Sequence, residues 1–344
     1  MQDIKKIKLL LQWYWIKRTN EFRATYDSDQ AWARIQKRIH QRQRIKVFYR
    51  YGAAACIFGL VALSAGFFYT YRHHTSEIAE ILARTPSNKA VLHLENGRIY
   101  NLENTPPPLL LDYEGLLNSQ KNDDTKNSSD KLSAYATLEV PRGGEYTLQL
   151  SDSSKVRLNA ASRLKYPIVF AKGAKREIFL EEGEAYLEVS SDKQHPFIVH
   201  TPLTDIEVIG TKFNVSLYDS LQTQVTLMEG LVKLHGSTFH THLHPGETAF
   251  ISKDSVSLSS ANYASTVLWT QGIYEYYNTE LQQITRQLSL WYDVDFIFAD
   301  RELATCKFAG VIMKKYSLQE ALDMLSKVSK VKFRVHENNI EITK

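Results

Sequence analysis

YTLQLSDSSKVRL (Tyr146–Leu158) alternates apolar and polar residues, breaks at the polar turn Asp152–Ser154, and returns through a second short run. That pattern has the period of a half-buried β-hairpin. A weak copy lies upstream in AVLHLENGRIYNL (Ala90–Leu102), so related hairpin units are expected to build the domain. Downstream, period-two alternation continues through Ile178–Leu180, Ala185–Val189, Phe197–Val199, Ile206–Ile209 and Val225–Leu227. Turn signals separate these runs at Gly143-Gly144, Gly183, His195-Pro196, Thr201-Pro202, Glu229-Gly230 and Pro245-Gly246. An all-β domain over 72–260, with its core motifs in 140–250, is expected. The polar stretch Asn118–Lys131 reads as a loop between the two hairpin copies.

From Trp269 the period changes. Ile273–Tyr277 reads as a strand, followed by a helix opened by the capping-box pattern Thr279-x-x-Gln282, with Leu281, Ile284, Leu288 and Trp291 on one face. Strand Val294–Phe298 closes the first unit. A second unit runs through Lys307–Ile312 and Ser317-x-x-Glu320, with Leu318, Ala321, Leu322, Leu325 and Val328 expected inward. Strands Lys332–Val335 and Ile340–Thr343, joined at Asn338-Asn339, complete it. The expectation for 265–344 is a small α+β domain of paired β-α-β units.

Upstream of the β region lies YGAAACIFGLVALSAGFFYTY (Tyr51–Tyr71), 21 residues without a formal charge. As a helix it would reach about 30 Å, the thickness of a bilayer's hydrocarbon core, and tyrosines stand at both ends. Residues 1–50 carry a net charge of +9 and the remainder −5. The positive-inside rule therefore places the N-terminus in the cytoplasm and the long tail outside it. Cys56 lies in the span and Cys306 stands alone in the tail, so the two do not form an intrachain disulfide.

The basic head, 1–50, reads as helical. Ile4, Ile7, Leu11 and Tyr14 recur at helical spacing with Trp15 beside them, and Trp32, Ile35 and Ile39 repeat the pattern after a break near Tyr26–Asp29. Fifty residues cannot bury both stripes unaided, so a partner is implied. A cytoplasmic protein and an anionic lipid surface both suit it; helix-turn-helix spacing and basic-aromatic interleaving for nucleic acid are missing.

Chemistry-bearing clusters are sparse. His240, His242 and His244 alternate near His235, but no Cys or carboxylate joins them at ligand spacing, so the motif reads as a polar hairpin. Glu181, Glu182, Glu184 and Glu188 read as solvent-facing strand positions. Ser151–Ser154 lacks a nucleophile elbow, and Gly143-Gly144 suits a turn better than a phosphate cradle. No enzyme, cofactor or metal site is expected.

Several motifs in order resemble the FecR family of membrane-spanning anti-sigma factors. VPRGGEYTLQLSDSSKVRLNAASRLKYP (Val140–Pro167), REIFLEEGEAYLEV (Arg176–Val189), HPFIVHTPLTDIEVIGTKFNV (His195–Val215), TLMEGLVKL (Thr226–Leu234) and LHPGETAF (Leu243–Phe250) carry the resemblance. The matching residues include Pro141, Arg142, Gly143, Gly144, Gly183, Glu184, Gly210, Thr211, Phe213, Glu229, Gly230, Pro245 and Gly246. LWTQGIYEYYNTELQQITRQLSLWYDVDFIF (Leu268–Phe298) resembles the C-terminal domain common in Bacteroidetes-type members, whose duplicated pattern is similar to the secretin/TonB short N-terminal domain. In this sequence Ser153-Ser154 replaces the glycine usual in the family's aspartate turn.

The resemblance implies an inner-membrane, single-pass regulator of transcription. Its partners would be an extracytoplasmic-function sigma factor inside and the signalling domain of a TonB-dependent outer-membrane transporter in the periplasm, with an intramembrane protease releasing the sigma factor. Trp13, Trp15, Trp32, Ile35 and Ile39 are the expected sigma-factor contacts, and Trp269 to Lys344 the receptor-facing segment. The same topology also suits a membrane-anchored envelope scaffold without sigma-factor binding.

Overall fold

A computed structural model describes residues 2–25, 78–103, 135–260, 263–329 and 331–344, with the isolated helical positions 33, 37, 62–64, 66–67 and 69. Trp32, Ile35, Ile39, Cys56, the Asn118–Lys131 loop and most of Tyr51–Tyr71 lie outside the described residues. Among the described residues no helix is long and apolar enough to cross a membrane. The chain divides into two units, Met1–His74 and Thr75–Lys344.

In the first unit, α1 (Gln2–Thr25) is a single 24-residue helix. Trp13 and Trp15 are 62% and 68% exposed. At 100° per residue Trp15 falls near Ile7, Leu11 and Tyr14, whereas Trp13 falls on the opposite side with Leu9 and Ile16. The expected single stripe is therefore two apolar faces, both exposed.

The second unit opens with a short helical turn over residues 78–82, then a β-sandwich. One sheet holds β1 (Ser87–Asn88), β5 (Gly144–Gln149), β6 (Lys155–Leu158), β9 (Glu184–Glu188), β12 (Lys212–Asp219), β13 (Gln222–Glu229), β16 (Glu247–Ile251) and β17 (Val256–Ser260), in that order. The other runs β15 (His240–Leu243), β14 (Val232–His235), β11 (Asp205–Val208), β10 (Phe197–His200), β8 (Arg176–Glu182), β7 (Ser162–Pro167), β4 (Tyr135–Val140), β2 (Val91–Leu94) and β3 (Ile99–Asn101). Both expected hairpins are present, as β2–β3 and β5–β6. Alternate residues of both sheets, among them Tyr146, Leu148, Val156, Leu158, Leu164, Ile178, Phe197 and Phe213, fill one core. The chain passes from β8 to β9, and so between sheets, through Gly183 alone. Gly183 has φ +86°, and a Cβ there would lie 2.5 Å from the Ser162 Cα, so only glycine fits this crossing.

The aspartate turn has a structural task. Arg176 is 5% exposed, and its guanidinium donates to the Asp152 carboxylate (2.6 Å), the Ser190 carbonyl (2.8 Å) and the His195 carbonyl (2.9 Å). Asp152 also accepts from the Ser154 amide and hydroxyl. Ser153 takes the position a glycine would suit, with φ +70°.

The C-terminal part has its own core. It comprises α2 (Tyr263–Leu268), a 3-10 turn (Trp269–Gln271), β18 (Ile273–Glu280), α3 (Leu281–Tyr292), β19 (Asp295–Phe298), α4 (Arg301–Ala304), β20 (Lys307–Met313), α5 (Leu318–Val328), β21 (Lys332–His336) and β22 (Asn339–Thr343). Two small sheets, β18–β20 and β19–β22–β21, are backed by the helices; the strand–helix–strand order is the expected one, but the two strands of each β-α-β unit lie in different sheets. The Ser317/Glu320 capping box forms. The Thr279 box does not: β18 runs on through Glu280, which becomes the N-cap without a side-chain hydrogen bond, because Thr279 and Glu280 are engaged in the ladder with Phe308 and Lys307. Val328 is not inward either, being 69% exposed at the last turn of α5.

These contacts set opposite expectations for two neighbouring substitutions. Asp152→Ala strands the buried Arg176 charge and should cost about 3–5 kcal/mol in urea unfolding. Ser153→Gly relieves a left-handed backbone and should be neutral or stabilising by up to about 1 kcal/mol.

Candidate functional site

Of the residues that the sequence singles out, Arg142, Gly143, Glu184 and Trp269 come together where the sandwich meets the C-terminal part. A helix leaves its last carbonyls without intrahelical partners. At the end of α3, Asp293 turns left-handed (φ 53°) and returns its amide to the Ser289 carbonyl. The loop Pro141–Gly144 supplies further donors. Arg142 donates through Nη2 (3.0 Å) and Nε (3.3 Å) to the Ser289 carbonyl and through Nη2 to the Val294 carbonyl. The Gly143 amide donates to the Leu290 carbonyl at 2.7 Å. The guanidinium also pairs with Asp293 (3.3 Å) and Asp295 (2.9 Å), and a cation there complements the negative end of the helix dipole. Gly143 has φ +71°, which aims its amide at the helix and disfavours any side chain.

A second zone is built on a hydrogen-bonded polar cluster. The Glu184 carboxylate accepts from Asn214 Nδ2 (2.9 Å) and Asn159 Nδ2 (2.8 Å). Asn159 also donates to the Tyr274 hydroxyl (3.0 Å), and Trp269, 2% exposed, donates its indole N–H to Asn214 (3.1 Å). Glu184 borders a cavity of about 260 Å³ walled by Tyr218, Tyr274, Arg286, Leu290 and Trp291. Burial pushes the Glu184 carboxyl above the usual carboxylate range, while the two asparagine amides pull it back. Burial, reinforced by that carboxylate, also raises Tyr274 and Tyr218. Glu184 is therefore not the solvent-facing position that alternation predicts, although Glu181, Glu182 and Glu188 are exposed.

A third zone pairs Lys314 (10% exposed) with Glu145, the ammonium lying 5.9 Å from the Trp291 ring centre. Burial lowers the Lys314 pKa and Glu145 opposes the shift. Beside it Arg157 donates to the Thr270 carbonyl.

Residues 136–233 match the FecR protein family model, and residues 273–342 match the model of the FecR C-terminal domain. The chain carries both FecR-family domains. Two crystal structures of a candidate anti-sigma factor from Parabacteroides distasonis ATCC 8503, at 1.65 and 2.50 Å, share the fold at 24% identity and TM-score 0.54. They align with 60% and 61% of this chain and with 98% and 99% of their own. No curated protein matches the chain at a significant level.

The other family-motif residues hold the FecR domain together rather than gather at one site. Phe213 is in the core, Thr211 is buried beside Leu231, and Glu229 is an exposed partner of Lys212. Gly230 precedes β14, and Pro245 and Gly246 form the turn into β16. His235 and His240 face each other across β14–β15 with their Nδ1 atoms 3.0 Å apart. Among the described residues no group of three His, Cys, Asp or Glu could hold a metal ion.

Within Trp269 to Lys344 one surface stands out. Among the described residues β20 pairs only with β18, leaving its other edge without a strand. A cavity of about 290 Å³ beside it is lined by Phe308, Val311, Ile312, Met324, Leu325 and Val328, with Lys327 among the surrounding residues. Val328 and Val311, at 69% and 46% exposure, are its open wall. Trp269 itself faces away from partners, into the joint.

Arg142→Ala should cost about 1.5–3 kcal/mol, because it removes charged donors from helix-end carbonyls, and should speed amide exchange at the end of α3. For Glu184 the sign follows from its raised folded pKa. The folded chain keeps that proton to higher pH than the unfolded chain, so stability falls as pH rises from the ordinary value of 4.5 through the raised one. Urea midpoints across this range should show wild type losing ground to Glu184→Gln with increasing pH; parallel curves would contradict the assignment.

Proposed function

We propose that this chain is a regulator, of the anti-sigma type, of an extracytoplasmic-function sigma factor, held in the inner membrane by one helix over Tyr51–Tyr71. The observation that carries this reading is the pairing of a FecR domain with a FecR C-terminal domain in one chain. The likeness of its fold to a candidate anti-sigma factor supports it. The basic head, at +9, remains in the cytoplasm, and the joined domains lie in the periplasm.

In this reading the head is the sigma-factor surface. A helix carrying apolar side chains on two faces gains most from a partner that encloses it, and Trp13 and Trp15 are its largest exposed rings. The C-terminal domain receives the signal. A strand from the signalling domain of a TonB-dependent transporter adds to the open edge of β20: main-chain hydrogen bonds give affinity, and alternate apolar side chains enter the Phe308–Val328 groove. A single membrane helix is a poor rigid lever, so release of the sigma factor by an intramembrane protease is the output.

Residues 1–48 should capture the sigma factor encoded beside this gene in a pull-down, and deleting them should change reporter transcription from its promoter. Failure of both would leave a membrane-anchored scaffold. Val311→Asp combined with Val328→Asp should weaken binding of the neighbouring transporter's signalling domain at least tenfold by calorimetry, with the unfolding of the FecR domain unchanged.

A further inference from the structure

Residues 78–88 are threaded through the joint. Ile81, 4% exposed, belongs to the core of the C-terminal domain rather than that of the sandwich it precedes, and Leu82 packs against the same core. Three residues on, Arg84 Nη1 donates to the Asp293 carbonyl (2.7 Å) and to Asn338 Oδ1 (2.8 Å), with the Tyr292 carbonyl at 3.4 Å. Its own carbonyl accepts from the Leu318 amide (3.1 Å), the first residue of α5. Then the allegiance changes. The Ser87 amide donates to the Gly143 carbonyl (3.0 Å), and Ser87 and Asn88 pair in parallel with Gly144 and Glu145 of the FecR domain.

We propose that this segment is a strap that stays seated only while the two domains remain docked. Only Thr85 and Pro86 separate the Arg84 anchor from the Ser87 anchor, so the link spans at most ~10 Å even when extended. The strap also shares its supports with the latch. Asp293 gives its carbonyl to Arg84 and its carboxylate to Arg142, and Gly143 gives its amide to α3 and its carbonyl to Ser87. Moving the C-terminal domain off Arg142 and Gly143 must therefore strain one anchor. The weaker one yields: β1 is two exposed residues on a sheet edge, whereas Ile81 and Arg84 are set into a core and three acceptors. β1 peels from β5, and the backbone from Thr85 to Lys89 becomes accessible. Using this as the receptor's signal to the preceding chain rests on the sigma-regulator reading; the coupling of strap to docking does not.

Hydrogen exchange by mass spectrometry on the full chain in detergent tests the coupling without any partner. Arg142→Ala, or the milder Arg142→Lys if alanine does not fold, removes contacts of the latch and touches no residue of the strap. Exchange at the end of α3 should rise, and exchange over residues 85–89 should rise with it, by tenfold or more for alanine. Faster exchange at the end of α3 with an unchanged strap would overturn the proposal. Arg84→Ala should loosen the strap while β12 and β13 keep their protection; an unchanged strap in that variant would equally overturn it. Adding the transporter's signalling domain to the wild type then tests the receptor reading separately.

Discussion

The end of α3 is the point on which the relation between the two domains turns. A helix C-terminus exposes carbonyls that must find donors, and here two of the donors come from a loop of the other domain: the Arg142 guanidinium and the Gly143 amide. This contact is directional, which apolar packing alone is not. Arg142 is one-third exposed, so its ion pairs with Asp293 and Asp295 are screened by solvent and contribute less than its hydrogen bonds to the carbonyls. The left-handed Gly143 puts its amide within 2.7 Å of Leu290.

Fixing α3 in this way sets what lies beneath it. Trp291 is held between Tyr274 (ring centres 4.0 Å apart) and the Lys314 ammonium, and the Lys314–Glu145 pair closes the joint from the β5 side. The acidic Glu184 borders a half-open cavity, and amide donors rather than a cation are its direct hydrogen-bond partners. A largely buried ion pair and a half-buried carboxylate are poor sources of net stability compared with apolar packing. They do make the docked geometry specific, because each demands its partner at one distance.

Much of this was legible in the sequence, for physical reasons. Period-two alternation marked the sandwich strands because one face of each is buried against the other sheet. Ser317 and Glu320 formed their capping box because the Ser317 side chain meets the Glu320 amide and the Glu320 side chain returns to the Ser317 amide within one helical turn. Thr279 failed because the strand that pairs with β20 extends three residues further than local propensity suggests. Val328 failed because α5 ends there beside an open strand edge, so the inward spacing continues past the core. Glu184 was misplaced for a related reason: its face of the sheet is the outer one within the sandwich, but the C-terminal domain covers it. Binary patterning reports which face of a strand is apolar and is silent on a second domain that docks through polar groups. Arg142 stood out only through the family resemblance and Gly143 otherwise only as a turn residue, and the role of Arg84 left no local signal, since its acceptors are more than two hundred residues away.

The central claim is that the FecR domain and the C-terminal domain hold one fixed orientation through the capped end of α3. Residual dipolar couplings measured on residues 75–344 test it directly, because two bodies that move independently align differently. One alignment tensor should fit backbone amides of β12, β13, α3 and α5 together, and Arg142→Ala should split it into two. Separate tensors in the unmodified protein would contradict the account.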